Sequence, residues 1–249
     1  MPDTTSPGAP VPEPPVDAHL SVAGSAPLDR VGDAVAAMVA HPDYPCLGAR
    51  SVLRRDAMTV VVLDDLTDDS TGGSLDDLGT RLREYARTVD AEGDLASFVA
   101  CFRGPALATE EEFEEALWRA LQHVHDQDAQ PWAPRVSADP DDPHFAFSAS
   151  GTAFFVVGLH PHASRVARRA AAPALVFNLH EQFERLRTEG RYPRMRDTIR
   201  RRDTDLQGST NPMVADHGQA SEARQYSGRA VPEGWSPPFH ASRTTEGAR

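Results

Sequence analysis

The 249-residue sequence contains no lysine; all 25 of its Lys-plus-Arg positions are arginine. That absence excludes a pyridoxal Schiff base, a P-loop lysine and any lysine nucleophile. Cysteine is almost absent too, with only Cys46 and Cys101. They lie far apart and in no CxxC spacing, so neither a zinc site nor a redox pair is expected. No apolar run approaches the roughly 20 residues that span a bilayer, and the N-terminus lacks the basic segment and long apolar stretch of a secretory signal. A soluble cytoplasmic protein with no membrane partner is the expectation. Basic charge is short as well: the net charge is −12 and the pI near 5.2. This argues against nucleic-acid backbones as partners, since those need a basic face. It is compatible with a small cationic substrate.

What is present reads as one folded unit between two tails. Residues 1–28 are rich in Pro, Ala, Ser and Asp, with Pro-Glu-Pro-Pro at 12–15, and cannot bury enough surface to offset ordering. Residues 241–249 read as a frayed C-terminus. Between them, residues 29–240 read as a single α/β domain, a mixed β-sheet flanked by helices. Helices are expected over Val31–Val39, ended by Pro42, and over Leu75–Val89 with Leu78, Leu82 and Tyr85 on one face. Thr109-Glu-Glu-Glu112 opens another helix as a capping box. His123 and His125 near its end point about 200° apart, so they cannot share a metal. Further helices are expected over His180–Thr188, with Phe183 and Leu186 inward, and over Arg194–Leu206. Strands are expected at Met58–Leu63, Leu95–Phe102, Phe145–Ser148, Thr152–Leu159 and Pro173–Leu179. The third and fourth form a hairpin through Ala149-Ser150-Gly151.

The chemistry concentrates in a few places. The apolar run Phe154-Phe-Val-Val-Gly-Leu159 ends in His160-Pro161, which presents an imidazole at a sheet edge or pocket mouth. A short basic helix start, Ala163–Arg169, follows. The next apolar strand delivers a second histidine, His180. In Pro45-Cys46-Leu47-Gly48 the glycine has no Cβ, so backbone N–H groups can approach the sulfur and favour a thiolate. The plainer reading of Cys46 is a small buried hydrophobe. Residues 211–229 form a long polar loop in which Asp216 and Glu222 could meet a cationic substrate.

Several ordered blocks together resemble the YqcI/YcgG family. They are Pro45-Cys-Leu-Gly-Ala-Arg50, Phe102-Arg-Gly-Pro105 and Phe154-Phe-Val-Val-Gly-Leu-His-Pro161. Asn178-Leu-His-Glu-Gln-Phe-Glu-Arg-Leu-Arg187, Gln207-Gly-Ser-Thr-Asn-Pro-Met-Val-Ala-Asp-His-Gly218 and Glu222-Ala-Arg-Gln-Tyr-Ser-Gly-Arg229 follow. The resemblance spans roughly residues 40–239. It implies a haem b monooxygenase that hydroxylates a guanidino or amine nitrogen of arginine or an arginine-like molecule, using O2 and electrons from a separate reductase. Such a site needs one axial protein ligand and an open face for O2. His160 is the preferred ligand and Cys46 the alternative. Arg165, Arg168 and Arg169 can pair with haem propionates, or form only a solvated basic face. His180 is assigned to the cofactor side, with helix capping as its plainer role. Asp216, His217 and Glu222 are assigned to the substrate side. A homodimer is allowed. Two other readings stay open: a haem-binding sensor without turnover, and a non-haem metal oxygenase built from His160, His180, Asp216 and His217.

Overall fold

The expected strands assemble into one sheet. In the computed structural model, which describes residues 30–213 and 219–241, five strands run β1 (Met58–Asp65), β2 (Ser97–Gly104), β3 (Phe147–Ala149), β4 (Thr152–Leu159) and β5 (Ala174–Leu179). Their order across the sheet is β1-β2-β5-β4-β3. Only β1 and β2 pair in parallel; the other contacts are antiparallel. The helices are α1 (Val31–Ala40), α2 (Leu47–Arg54), α3 (Ser74–Thr88), α4 (Glu110–Asp126), α5 (His180–Thr188) and α6 (Tyr192–Gln207). This is the mixed α/β sheet expected, in a single domain. The expected tails, apart from Ala241, lie outside the described residues.

Local chemistry accounts for most of these elements. Helix α3 is the crossover that joins the parallel pair, which no tight turn can do. The β3–β4 hairpin closes on two residues, Ser150 and Gly151, both with positive φ (54° and 73°). That is the turn whose twist matches its strands. At the start of α4, Thr109 Oγ1 accepts from the Glu112 N–H at 3.1 Å. The Glu112 carboxylate reaches one residue further back than a simple capping box, accepting from Ala108 N–H at 2.7 Å. His123 meets Asp76 at 2.7 Å and so ties α4 to the start of α3.

The sheet is apolar on both faces, and the two faces are covered differently. Phe98, Ala100 and Phe102 of β2, Phe154 and Val156 of β4, and Leu175, Phe177 and Leu179 of β5 face α3 and α4. Tyr226 and Phe239 from the C-terminal segment complete this core. On the opposite face, Val99 and Cys101 of β2 pack with Val31, Val35, Met38 and Val39 of α1. Gly158 sets how close α4 can come. A Cβ there would lie 2.6 Å from Phe113 Cε1 and 2.8 Å from Leu117 Cδ1.

One helix was not expected, and two local expectations are corrected. Residues 47–54 form α2; its cap is a cysteine, outside the usual Ser/Thr/Asp/Asn set. Residues 163–169 do not start a helix, and only a 3-10 turn, Val166–Arg168, forms. Arg168 and Arg169 bond backbone carbonyls instead, Arg169 Nε donating to Ala163 O at 2.7 Å. In α5, Gln182 rather than Phe183 is fully buried beside Leu186. Its amide accepts from Ala96 N–H (2.8 Å) and donates to Asp94 O (2.7 Å).

The close approach at Gly158 gives a direct test. A Gly158→Ala chain must push Phe113 and Leu117 outward, and its urea unfolding midpoint is expected to fall by the equivalent of about 1–3 kcal/mol. An unchanged midpoint would mean that α4 does not rest on this strand.

Candidate functional site

The less tightly covered face of the sheet holds a cavity of about 280 Å3. Its floor is made by Val99, Val157, Leu159, Val176 and Asn178. Helices α1 and α2 close one side, and α6 closes another with Tyr192, Met195, Ile199 and Asp203. No residue of α6 is buried outright, so this helix walls the cavity without entering either core. The size lies near the lower end of small-molecule sites, and the apolar lining with a few polar groups is typical of them.

Cys46 faces this cavity from the N-terminus of α2. Its sulfur accepts a hydrogen bond from Ala49 N–H at 3.4 Å, as the Cys-x-Gly spacing suggested. Burial pushes the thiol pKa up, against the opposing pull of the Ala49 and Gly48 N–H groups and the Arg168 charge. Alone, then, Cys46 is a protonated thiol. A bound metal would deprotonate it.

Two of the expected arginines also line the cavity, and the third does not. Arg168 donates to Gly158 O (3.0 Å), Tyr226 O (3.3 Å) and Gln225 O (3.0 Å), which clamps the C-terminal segment to β4. No carboxylate pairs with it directly among the described residues. Burial therefore lowers its pKa, while Tyr44, Asp203 and Cys46 act in the other direction. Arg165 is held by Asp203 of α6 and by Ser209, and both members of the ion pair are well shielded, at 9% and 15% side-chain exposure. Among the described residues Arg169 bonds its own loop, to Ala163 and Ser164.

The histidines do not join this group. His160 was expected at a pocket mouth, but it is fully buried and does not line the cavity. Its ring stacks on Phe113 at 4.3 Å between centroids, and among the described residues neither ring nitrogen has a hydrogen-bond partner. His180 opens α5 and lies 3.7 Å from Glu184, also away from the cavity. Among the described residues no three His, Cys, Asp or Glu side chains cluster as a metal site. Asp216 and His217 lie outside the described residues.

Glu222 sits in a buried 3-10 turn, Glu222–Gln225, 3.8 Å from Arg187. Burial, with help from Glu184, pushes its carboxyl up to about 7 against the pull of Arg187. Arg187 lies over the Tyr192 ring at 4.7 Å, so Glu222 stands behind the cavity wall rather than in it. Sequence reasoning missed Asp203, Tyr44 and the whole inner stripe of α6. The signal was there: Tyr192, Met195, Ile199 and Asp203 recur at helical spacing.

His160 makes stability depend on pH. Burial, with the His162 and Arg168 charges, lowers its pKa from 6.5 to about 4. Between those values the unfolded chain takes up a proton that the folded chain refuses, so stability falls as pH falls. Urea unfolding from pH 7 to pH 4 should cost wild type on the order of 3 kcal/mol more than a His160→Phe chain. Equal pH dependence in the two chains would show that the ring is not held neutral.

Comparison with known proteins places this geometry in a family. The chain is 28% identical over 130 residues to YcgG of Bacillus subtilis strain 168, an uncharacterised protein, which covers 50% of each chain. It is 26% identical over 165 residues to YqcI of the same strain, also uncharacterised, which covers 64% of each chain. The matches thus span between half and two thirds of those proteins' lengths. No solved structure matches the chain significantly. The YqcI/YcgG family profile matches residues 35–240, which takes in every strand, the cavity and the segment clamped by Arg168, and the chain belongs to that family.

Proposed function

We propose that the protein is a haem-dependent oxygenase that hydroxylates a guanidino or amine nitrogen of a small arginine-like molecule, using O2 and electrons from a separate reductase. The observation that carries this reading is the Cys46 thiol at the N-terminus of α2, facing an apolar cavity beside two buried guanidinium groups. The donor set suits haem. A soft sulfur can ligate iron, apolar walls suit a macrocycle that would widen the cavity of about 280 Å3 on entering, and Arg168 can meet a propionate. Bound haem would supply O2 activation, which no side chain here can provide.

The chain's own residues do the rest. The Ala49 N–H steadies the sulfur and favours its thiolate form. Arg168 offsets negative charge brought into the apolar cavity, while its three carbonyl bonds keep it in place. Val157, Val176 and Leu159 keep water from the reacting centre. In this reading Cys46 rather than His160 would hold the iron, because the imidazole is sealed against Phe113 and the thiol faces the cavity.

Spectra of protein produced with haem supply test the proposal. Wild type should show near-stoichiometric haem and a strongly red-shifted ferrous–CO band, the signature of a thiolate ligand. Cys46→Ala should lose that band, His160→Phe should keep it, and hydroxylated arginine should form when a reductant is added. Colourless wild-type protein that refuses added haemin would overturn the haem reading. Haem binding without product formation would reduce the protein to a haem-binding sensor.

A further inference from the structure

We propose that Asp203 selects the cationic nitrogen group of the substrate, and that Arg165 is a built-in placeholder for it. This rests on reading the cavity as the site of a guanidino substrate. Asp203 is the one acidic side chain lining the cavity among the described residues. The acidic residues expected for this role do not supply it: Glu222 does not line the cavity, and Asp216 is outside the described residues.

The partner that Asp203 already has is itself a guanidinium. Asp203 Oδ2 pairs with Arg165 Nη2 inside the cavity wall, with Arg168 and Tyr44 beside the pair and Arg196 and Arg200 also lining the cavity. The site is therefore built to accept this planar cation bidentately or end-on. A substrate guanidinium could compete with Arg165 for Asp203; Arg165 stays in the wall, so the incoming group adds one positive charge to the cavity. Asp203 never becomes a buried, unpaired carboxylate, the state that would be strongly unfavourable. Arg165 would not be stranded either. It keeps Ser209 O at 3.2 Å and Ser209 Oγ at 3.4 Å. Its Nε is buried and has no partner, so it can still donate to an acceptor on the incoming molecule.

Helix α6 carries Asp203 in a position suited to this exchange. Gly190 (φ 67°) and Gly208 (φ 77°) bracket the helix, and neither has a neighbour within 4 Å of where a Cβ would stand. The left-handed backbone at Gly208 ends the helix five residues after Asp203, just before Ser209. The carboxylate and both Ser209 contacts of Arg165 thus come from one helix and its end.

Calorimetric titration of the full chain with L-arginine and with L-citrulline, its neutral isostere, tests the inference. Wild type should bind arginine more tightly than citrulline by about tenfold or more. Asp203→Asn should bring that ratio close to one. Arg165→Gln, which removes the placeholder, should tighten arginine binding several-fold and leave citrulline unchanged. A folded Asp203→Asn chain that keeps the preference would overturn the inference. So would an Arg165→Gln chain that weakens both ligands alike, or a wild type that binds neither. If Asp203→Asn does not fold, Arg165→Gln decides alone. Haem content is read by absorbance on the same samples. A chain that takes no haem but discriminates through Asp203 fails the haem reading and not this one; a haem-loaded chain indifferent to both changes does the reverse.

Discussion

Both faces of the five-stranded sheet are apolar, so both must be covered, and the rest of the structure follows from how unevenly that is done. On one face, aromatic side chains from three strands meet α3, α4 and the C-terminal residues Tyr226 and Phe239. The approach there is as close as backbone allows, since Gly158 leaves no room for even a methyl group beneath Phe113 and Leu117. On the other face, α1 fills one half. The remaining half is spanned by α6, which contributes an inner stripe but no fully buried residue. A dense layer gives the sheet its rigidity, and a sparse layer leaves it a cavity.

The cavity's charge follows from the same asymmetry. Arg168 is surrounded by apolar wall and backbone carbonyls, with no carboxylate paired to it among the described residues. Burial on this scale would neutralise a lysine, whereas an arginine keeps its charge. The guanidinium can therefore hold Gly158, Gln225 and Tyr226 together and still present positive potential to whatever enters. Arg165 and Asp203 balance one another beside it. The site thus combines a soft sulfur, a fixed cation and a shielded ion pair in a largely apolar enclosure that Arg196 and Arg200 also line.

Much of the fold was legible because its signals are local. The β3–β4 hairpin announces itself through Ser150-Gly151, and α4 through Thr109 and Glu112. Helix α2 was hidden because its cap is a cysteine and its second residue a glycine. The site was legible only in part. Cys46, Arg165 and Arg168 were named from sequence and do meet in the cavity. His160 was misplaced because strand periodicity cannot show which face an end residue turns to when both faces are apolar. Phe154 and Phe155, Val156 and Val157 read alike, yet the even-numbered members face the dense core and the odd-numbered ones the cavity. Asp203 was concealed for another reason. In Arg200-Arg-Arg-Asp-Thr-Asp205 it reads as one charge on a solvated helix.

Cys46 is the residue on which the proposal turns, as the one that would hold haem in the cavity. Alkylation by a small maleimide, followed by mass spectrometry with increasing haemin, tests it most directly. Cys101 in the β2 core is fully buried and should stay unlabelled in the folded chain, serving as the internal control. The account predicts that one equivalent of haemin protects Cys46 from labelling. Cys46 labelled at the same rate with and without haemin would contradict it.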